Sequence, residues 1–197
     1  MSMGRKLLLV LVALYFVQAT EPNAFCAFIF NVQQVGQNVI VNGSGTINTD
    51  ALSRFSQQSR FATIVPANGT LCAGPVAQTP AAQFYGLLGA INFGSGGQTN
   101  ATSGSGDIVG VEFENRVVVP SGYISGTPLA DSATYNSQTF SSLGLTQGTY
   151  VYTWGTGPTA DSLTINIGTG VPEPASAALI AAPIAIAALR RCRRVVG

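Results

Sequence analysis

The chain reads as mainly β: an antiparallel β-sandwich of jelly-roll-like connectivity, with a signal helix at its N-terminus and a transmembrane helix at its C-terminus. Three observations predict this. Apolar residues recur with period two in several short runs, Gly, Pro, Asn and Ser clusters separate those runs, and helical periodicity is thin through the middle of the chain.

The elements follow in order. Cys26, Phe28, Phe30 and Val32 share one face of a first strand, and Val39–Ile47 and Phe61–Val65 supply two more. Between them Asp50 is placed to cap a short helical turn around Leu52 and Phe55. Ala81–Ala90 sets Phe84, Leu87 and Leu88 at helical spacing, against which Gly86 and Gly89 count. Gly94–Gly106 reads as a mobile Gly/Ser loop. Val109, Val111 and Phe113 alternate with Gly110, Glu112 and Glu114, which predicts one apolar and one wet face. Val117–Val119 and Thr134–Phe140 are short strand candidates. Tyr150, Tyr152 and Trp154 alternate with Thr149, Val151 and Thr153, and Leu163, Ile165 and Ile167 alternate with Ser162, Thr164 and Asn166. These two runs flank the Gly/Pro turn Gly155–Asp161 and form a hairpin.

Both ends carry membrane-directed signals. Arg5 and Lys6 precede the uncharged run Leu7–Val17, and Val17-Gln18-Ala19 places small residues for cleavage between Ala19 and Thr20. This is the order of a secretory signal peptide, which implies passage through a secretion translocon. A lipid-modified Cys26 is disfavoured by the bulky Phe25 before it. At the other end Val171-Pro172-Glu173-Pro174 leads into the apolar run Ala175–Leu189, followed by Arg190, Arg191, Arg193 and Arg194. Fifteen helical residues reach about 22 Å against a hydrocarbon core of about 30 Å, and Pro183 interrupts the run. The run is therefore short for a permanent anchor. The arginines are costly at the bilayer centre and act as a cytoplasmic membrane stop. The organisation is a signal peptide over 1–19, an exported β domain over 20–170 and a tail over 171–197.

That tail resembles the bacterial PEP-CTERM sorting signal: the Pro172-Glu173-Pro174 element, the hydrophobic span and the arginine cluster stand in the family's order at the chain terminus. The resemblance implies recognition by an exosortase, a membrane-embedded transpeptidase-like enzyme, with removal of the tail near the Pro-Glu-Pro element and delivery of the body to the cell surface. Phe93–Gly97, Val118–Tyr123, Ser142–Leu145 and Gly148–Gly155 are also similar to body domains that accompany such tails. They bring no activity. They imply a place in an extracellular matrix, biofilm or exopolysaccharide layer.

Composition narrows the chemistry. Between Thr20 and Gly170 the basic residues are Arg54, Arg60 and Arg116 against seven acidic ones, a body at −4 with no lysine, so the clustered cations of a nucleic-acid footprint are missing. The chain has no histidine, which excludes Ser-His-Asp and Cys-His nucleophile sites and histidine-ligated metals. No cofactor and no catalytic activity are expected. An oxidising compartment favours a Cys26–Cys72 disulfide, with two separate buried thiols as the alternative. Glu112 and Glu114 are a candidate carboxylate pair for glycoside hydrolysis or, more plainly, a solvated strand face. Asp107, Asp131 and Asp161 sit beside turns, where forming the turn is a commoner role than binding calcium. Tyr150, Tyr152 and Trp154 are either an aromatic platform for sugar rings or part of the core; the platform requires Trp154 to be exposed.

Overall fold

Period-two patterning becomes strand pairing through most of residues 27–168, the part of the chain described by the computed structural model. Thirteen strands form among these residues: β1 (Ala27–Val35), β2 (Asn38–Thr46), β3 (Ser53–Arg60), β4 (Thr63–Val65), β5 (Thr70–Ala73), β6 (Thr79–Tyr85), β7 (Thr99–Asn100), β8 (Ser103–Gly106), β9 (Val109–Glu112), β10 (Arg116–Pro120), β11 (Pro128–Tyr135), β12 (Gly148–Trp154) and β13 (Asp161–Ile167). The only helical pieces among them are two three-residue 3-10 turns, at Pro66–Asn68 and Gly157–Thr159, and no described helix is long and apolar enough to cross a membrane. The expected signal helix, Cys26 and the tail with its expected transmembrane helix lie outside the described residues.

The strands make two antiparallel-dominated sheets. The first has the order β12-β13-β1-β2-β11-β8, and the second β3-β6-β10-β9-β5-β4-β7. The expected hairpin of the last two strands is present, with Tyr152 opposite Leu163. One pairing is parallel: β1 lies against β13, with Phe28 opposite Leu163 and Val32 opposite Ile167. Phe28, Phe30, Val41, Leu163 and Ile165 of the first sheet and Leu71, Val111, Val117 and Val119 of the second are buried in one continuous core between the sheets. This is the layering of a β-sandwich.

The second sheet is not flat. Strands β3 and β4 stand five strand spacings apart in the order, about 24 Å if laid flat. Only Phe61 and Ala62 join them, a link that spans at most about 11 Å. The sheet must therefore roll until its ends approach. The irregular register between Arg54 and Ser56 bends β3 into the roll. Rolling also buries the face turned away from the first sheet, where Cys72, Ala81, Ile108 and Val118 form a second, smaller cluster.

Four expectations need correction. The turn at Asp50 is present, but it leads into strand β3, whose polar sequence hides its conformation. Ala81–Ala90 is no helix: Thr79–Tyr85 is strand β6, and its small residues are buried on both faces by the roll. The candidate strand at Thr134–Phe140 starts earlier, as β11, and has ended by Tyr135. Gly94–Gly106 is ordered structure that contains β7 and β8. The Ser95 amide donates to Gly144 O at 2.9 Å and the Ala67 amide to Gly96 O at 3.0 Å. Glycine is needed at 96 for proximity rather than freedom, because a Cβ there would run into the Leu143 carbonyl.

Gly96→Ala should lower stability by about 1–3 kcal/mol through this overlap. Gly97→Ala, where nothing lies within 4 Å of the added carbon, should leave it nearly unchanged. Thermal melts of the two variants check the difference.

Candidate functional site

The roll brings together side chains that are distant in sequence. Arg60, at the end of β3, reaches Glu112 at the end of β9, donating from Nε to Oε1 and from Nη2 to Oε2, the latter at 3.2 Å. This is the single ion pair among the described residues. Gln83 of β6 donates from Nε2 to Glu112 Oε2, and its Oε1 accepts from Ser56 Oγ of β3. Cys72 of β5 sits with Sγ 3.9 Å from Glu112 Oε1. Gly110 makes room for that thiol: a Cβ at 110 would lie 2.6 Å from Cys72 Sγ. Four strands thus converge on one carboxylate.

A carboxylate offers about four lone-pair directions. Two Arg60 nitrogens, the Gln83 amide and the Cys72 thiol occupy those of Glu112. No acceptor position remains for a substrate proton, so the arrangement is a clamp rather than a general base. Burial pushes the Cys72 thiol well above its usual pKa, and the nearby Glu112 charge adds to the shift. A thiol kept protonated in this way is not a nucleophile.

The proposed pairing of Glu112 with Glu114 on a wet face is overturned. Glu112 is buried, whereas Phe113 is exposed. Alternation stops because the β9–β10 connection turns there, with Glu114 at φ 63° and Asn115 at φ 51°. Glu114 meets only the Tyr85 hydroxyl, at 3.5 Å. Two carboxylates facing each other across a cleft are therefore not formed.

The three aspartates separate as well. Asp107 Oδ2 accepts the Ala130 amide at 3.0 Å. Asp161 Oδ2 accepts the Asn48 amide at 2.6 Å and Oδ1 that of Ser162 at 2.6 Å; burial raises its pKa to about 6 against the pull of those two amides. Asp131 lies on the core face of β11, opposite Gly43, where its Oδ1 and the Phe28 and Phe30 rings fill the space a side chain at 43 would take. Neither carboxyl oxygen of Asp131 has a hydrogen-bond partner among the described residues. Burial raises its pKa to about 8, and the neighbouring Gly43 amide only partly offsets this. No group of three His, Cys, Asp or Glu able to hold a metal ion occurs among the described residues.

The aromatic trio faces inward. Trp154 is 4% exposed and donates from Nε1 to Asn48 O at 2.7 Å, and Tyr152 is fully buried. Tyr150 is half-buried, with its ring centroid 5.9 Å from that of Phe93 and its hydroxyl donating to Thr146 O at 2.9 Å. The condition for a sugar platform, an exposed Trp154, is not met; alternation identifies a face without saying which side of the sheet is the core. Cys72 lies on the face of its sheet turned away from β1, and its expected partner Cys26 is outside the described residues. So are Ala19, Thr20, Val171, Pro172, Glu173, Pro174, Arg190, Arg191, Arg193 and Arg194. Comparison of the chain with protein families, with curated proteins and with solved structures finds no match.

Sequence reasoning missed Arg60 and Gln83 as partners of Glu112, and Ser56 as the partner of Gln83. The available signal was scarcity: with three basic residues in the body, a buried carboxylate has few places to find one.

Two predictions follow from the geometry. Arg60→Ala strands the Glu112 charge and should cost about 1–3 kcal/mol, less than for a fully buried pair because the Arg60 side chain is 21% exposed. The double variant Arg60→Met with Glu112→Gln should recover most of that loss in urea unfolding. For Asp131 the folded state holds its proton up to about pH 8, while the unfolded state releases it near 3.8. The stability gained from this proton is complete below the lower value and lost as pH rises to the upper one. Urea unfolding between pH 4 and 8 should show that decline, flattened in Asp131→Asn.

Proposed function

We propose that the chain is a non-catalytic protein of the bacterial cell envelope or extracellular matrix, exported through a secretion translocon and sorted by an exosortase acting on its tail. The observation that carries this reading is the three-part order at the C-terminus: Val171-Pro172-Glu173-Pro174, an uncharged span and four arginines. The N-terminal order of charge, apolar run and small residues points the same way. Proline disfavours helix, a local preference suited to a processing site. Below them the body supplies a stable module, in which the carboxylate that most resembled a catalytic group is consumed by the clamp. The jelly-roll-like connectivity belongs to this reading. It is supported by a chain that passes repeatedly between the sheets, at β2–β3, β7–β8, β8–β9 and β10–β11. Polysaccharide of the matrix is the surrounding in which such a module would work.

Replacing Pro172, Glu173 and Pro174 together by alanine should leave full-length precursor in the membrane fraction, where the unaltered chain is processed and leaves it. Immunoblots of membrane and surface fractions read the outcome; equal processing of both chains would end the sorting proposal.

A further inference from the structure

Leu88 and Ile91 are 73% and 76% exposed, and Phe113 is 51% exposed. Monomers rarely gather such residues without a use for them. The segments that carry them are neighbours. Asn115 Nδ2, in the turn beside Phe113, approaches Gly89 O at 3.5 Å, and the Phe113 amide donates to Thr70 Oγ1 at 3.2 Å. Ile91 lies over Gly69, where a Cβ would come within 2.8 Å of its carbonyl oxygen. Phe55 and Tyr85 extend the surface, with ring centroids 4.6 Å apart and the Arg116 guanidinium stacked 4.8 Å from the Phe55 ring.

The rim of this surface carries both signs of charge in a chain that has few. Arg116 donates from Nε to Phe113 O and has no carboxylate partner among the described residues. Glu114, two residues away, has only the long contact from Tyr85. An apolar centre bordered by a cation and an anion that form no ion pair among the described residues is complementary to itself under a twofold axis, which sets each Arg116 against the other copy's Glu114. Anionic lipid is the poorer occupant, since the body is net negative.

We infer that the surface formed by Leu88, Ile91, Phe113, Glu114 and Arg116 joins two copies of this chain in a twofold dimer.

The test uses the full chain in an exporting bacterial cell, with the photoreactive residue p-benzoylphenylalanine in place of Leu88. Illumination should give a species of twice the chain mass, cross-linked to the 88–91 or 113–116 region of the second copy. Glu114→Arg or Arg116→Glu alone should lower its yield roughly tenfold, because like charges then meet. Producing the two single variants in the same cell should restore it, since each supplies the opposite charge to the other; this rescue also shows that both variants fold. Cross-links to lipid or to a different protein, no cross-linked dimer, or a dimer whose yield ignores the charge reversals would each overturn the proposal.

Discussion

The parallel pairing of β1 with β13 is the constraint on which the body depends. It joins the first and last described strands at the middle of the first sheet, with Phe28, Phe30 and Val32 matched to Leu163, Ile165 and Ile167. All six side chains are buried in the main core. The pairing closes a loop of more than a hundred residues, so the sheet is completed only after the last strand is made. It also fixes where the ends emerge. Parallel strands place Ala27 and Gly168 at opposite poles, about 16 Å or more apart along the strand direction.

The second sheet solves a different problem. Its short β3–β4 link forces it to roll, and the roll would bury polar side chains at a cost unless they found partners. Glu112 meets that cost through Arg60, Gln83 and Cys72. The same residues that look like a catalytic cluster in isolation are thus explained by topology. Asp131 is the contrasting case: a carboxyl in the core without partners, held neutral by burial. Its position between the Gly43 backbone and two phenylalanine rings ties the stability of the first sheet to pH.

Much of the first sheet was legible in the sequence because each of its core strands has one wet face. Phe28, Phe30 and Val32, or Leu163, Ile165 and Ile167, declare their strands by alternation alone. The second sheet was harder to read because rolling erases the difference between faces. In β6 Ala81, Ala82 and Gln83 are buried in succession, which imitates a helix. In β3 almost every residue is exposed, and in β8 Ser-Gly-Ser-Gly offers no pattern at all. The clamp was illegible for a related reason: Arg60 and Glu112 meet only because of a nonlocal closure that no local pattern encodes. Trp154 was legible as part of an alternating face, but the choice between platform and core depended on which side the second sheet would cover.

We propose that the ends of this chain serve transit and that the β body is what arrives. Intact mass of the protein recovered from the outside of the cells that make it tests this most directly. The predicted mass lacks residues 1–19 and everything beyond the Pro172-Glu173-Pro174 region. A surface-delivered chain whose mass still includes Arg190–Gly197, or a full-length chain found dissolved in the cytosol, would contradict it.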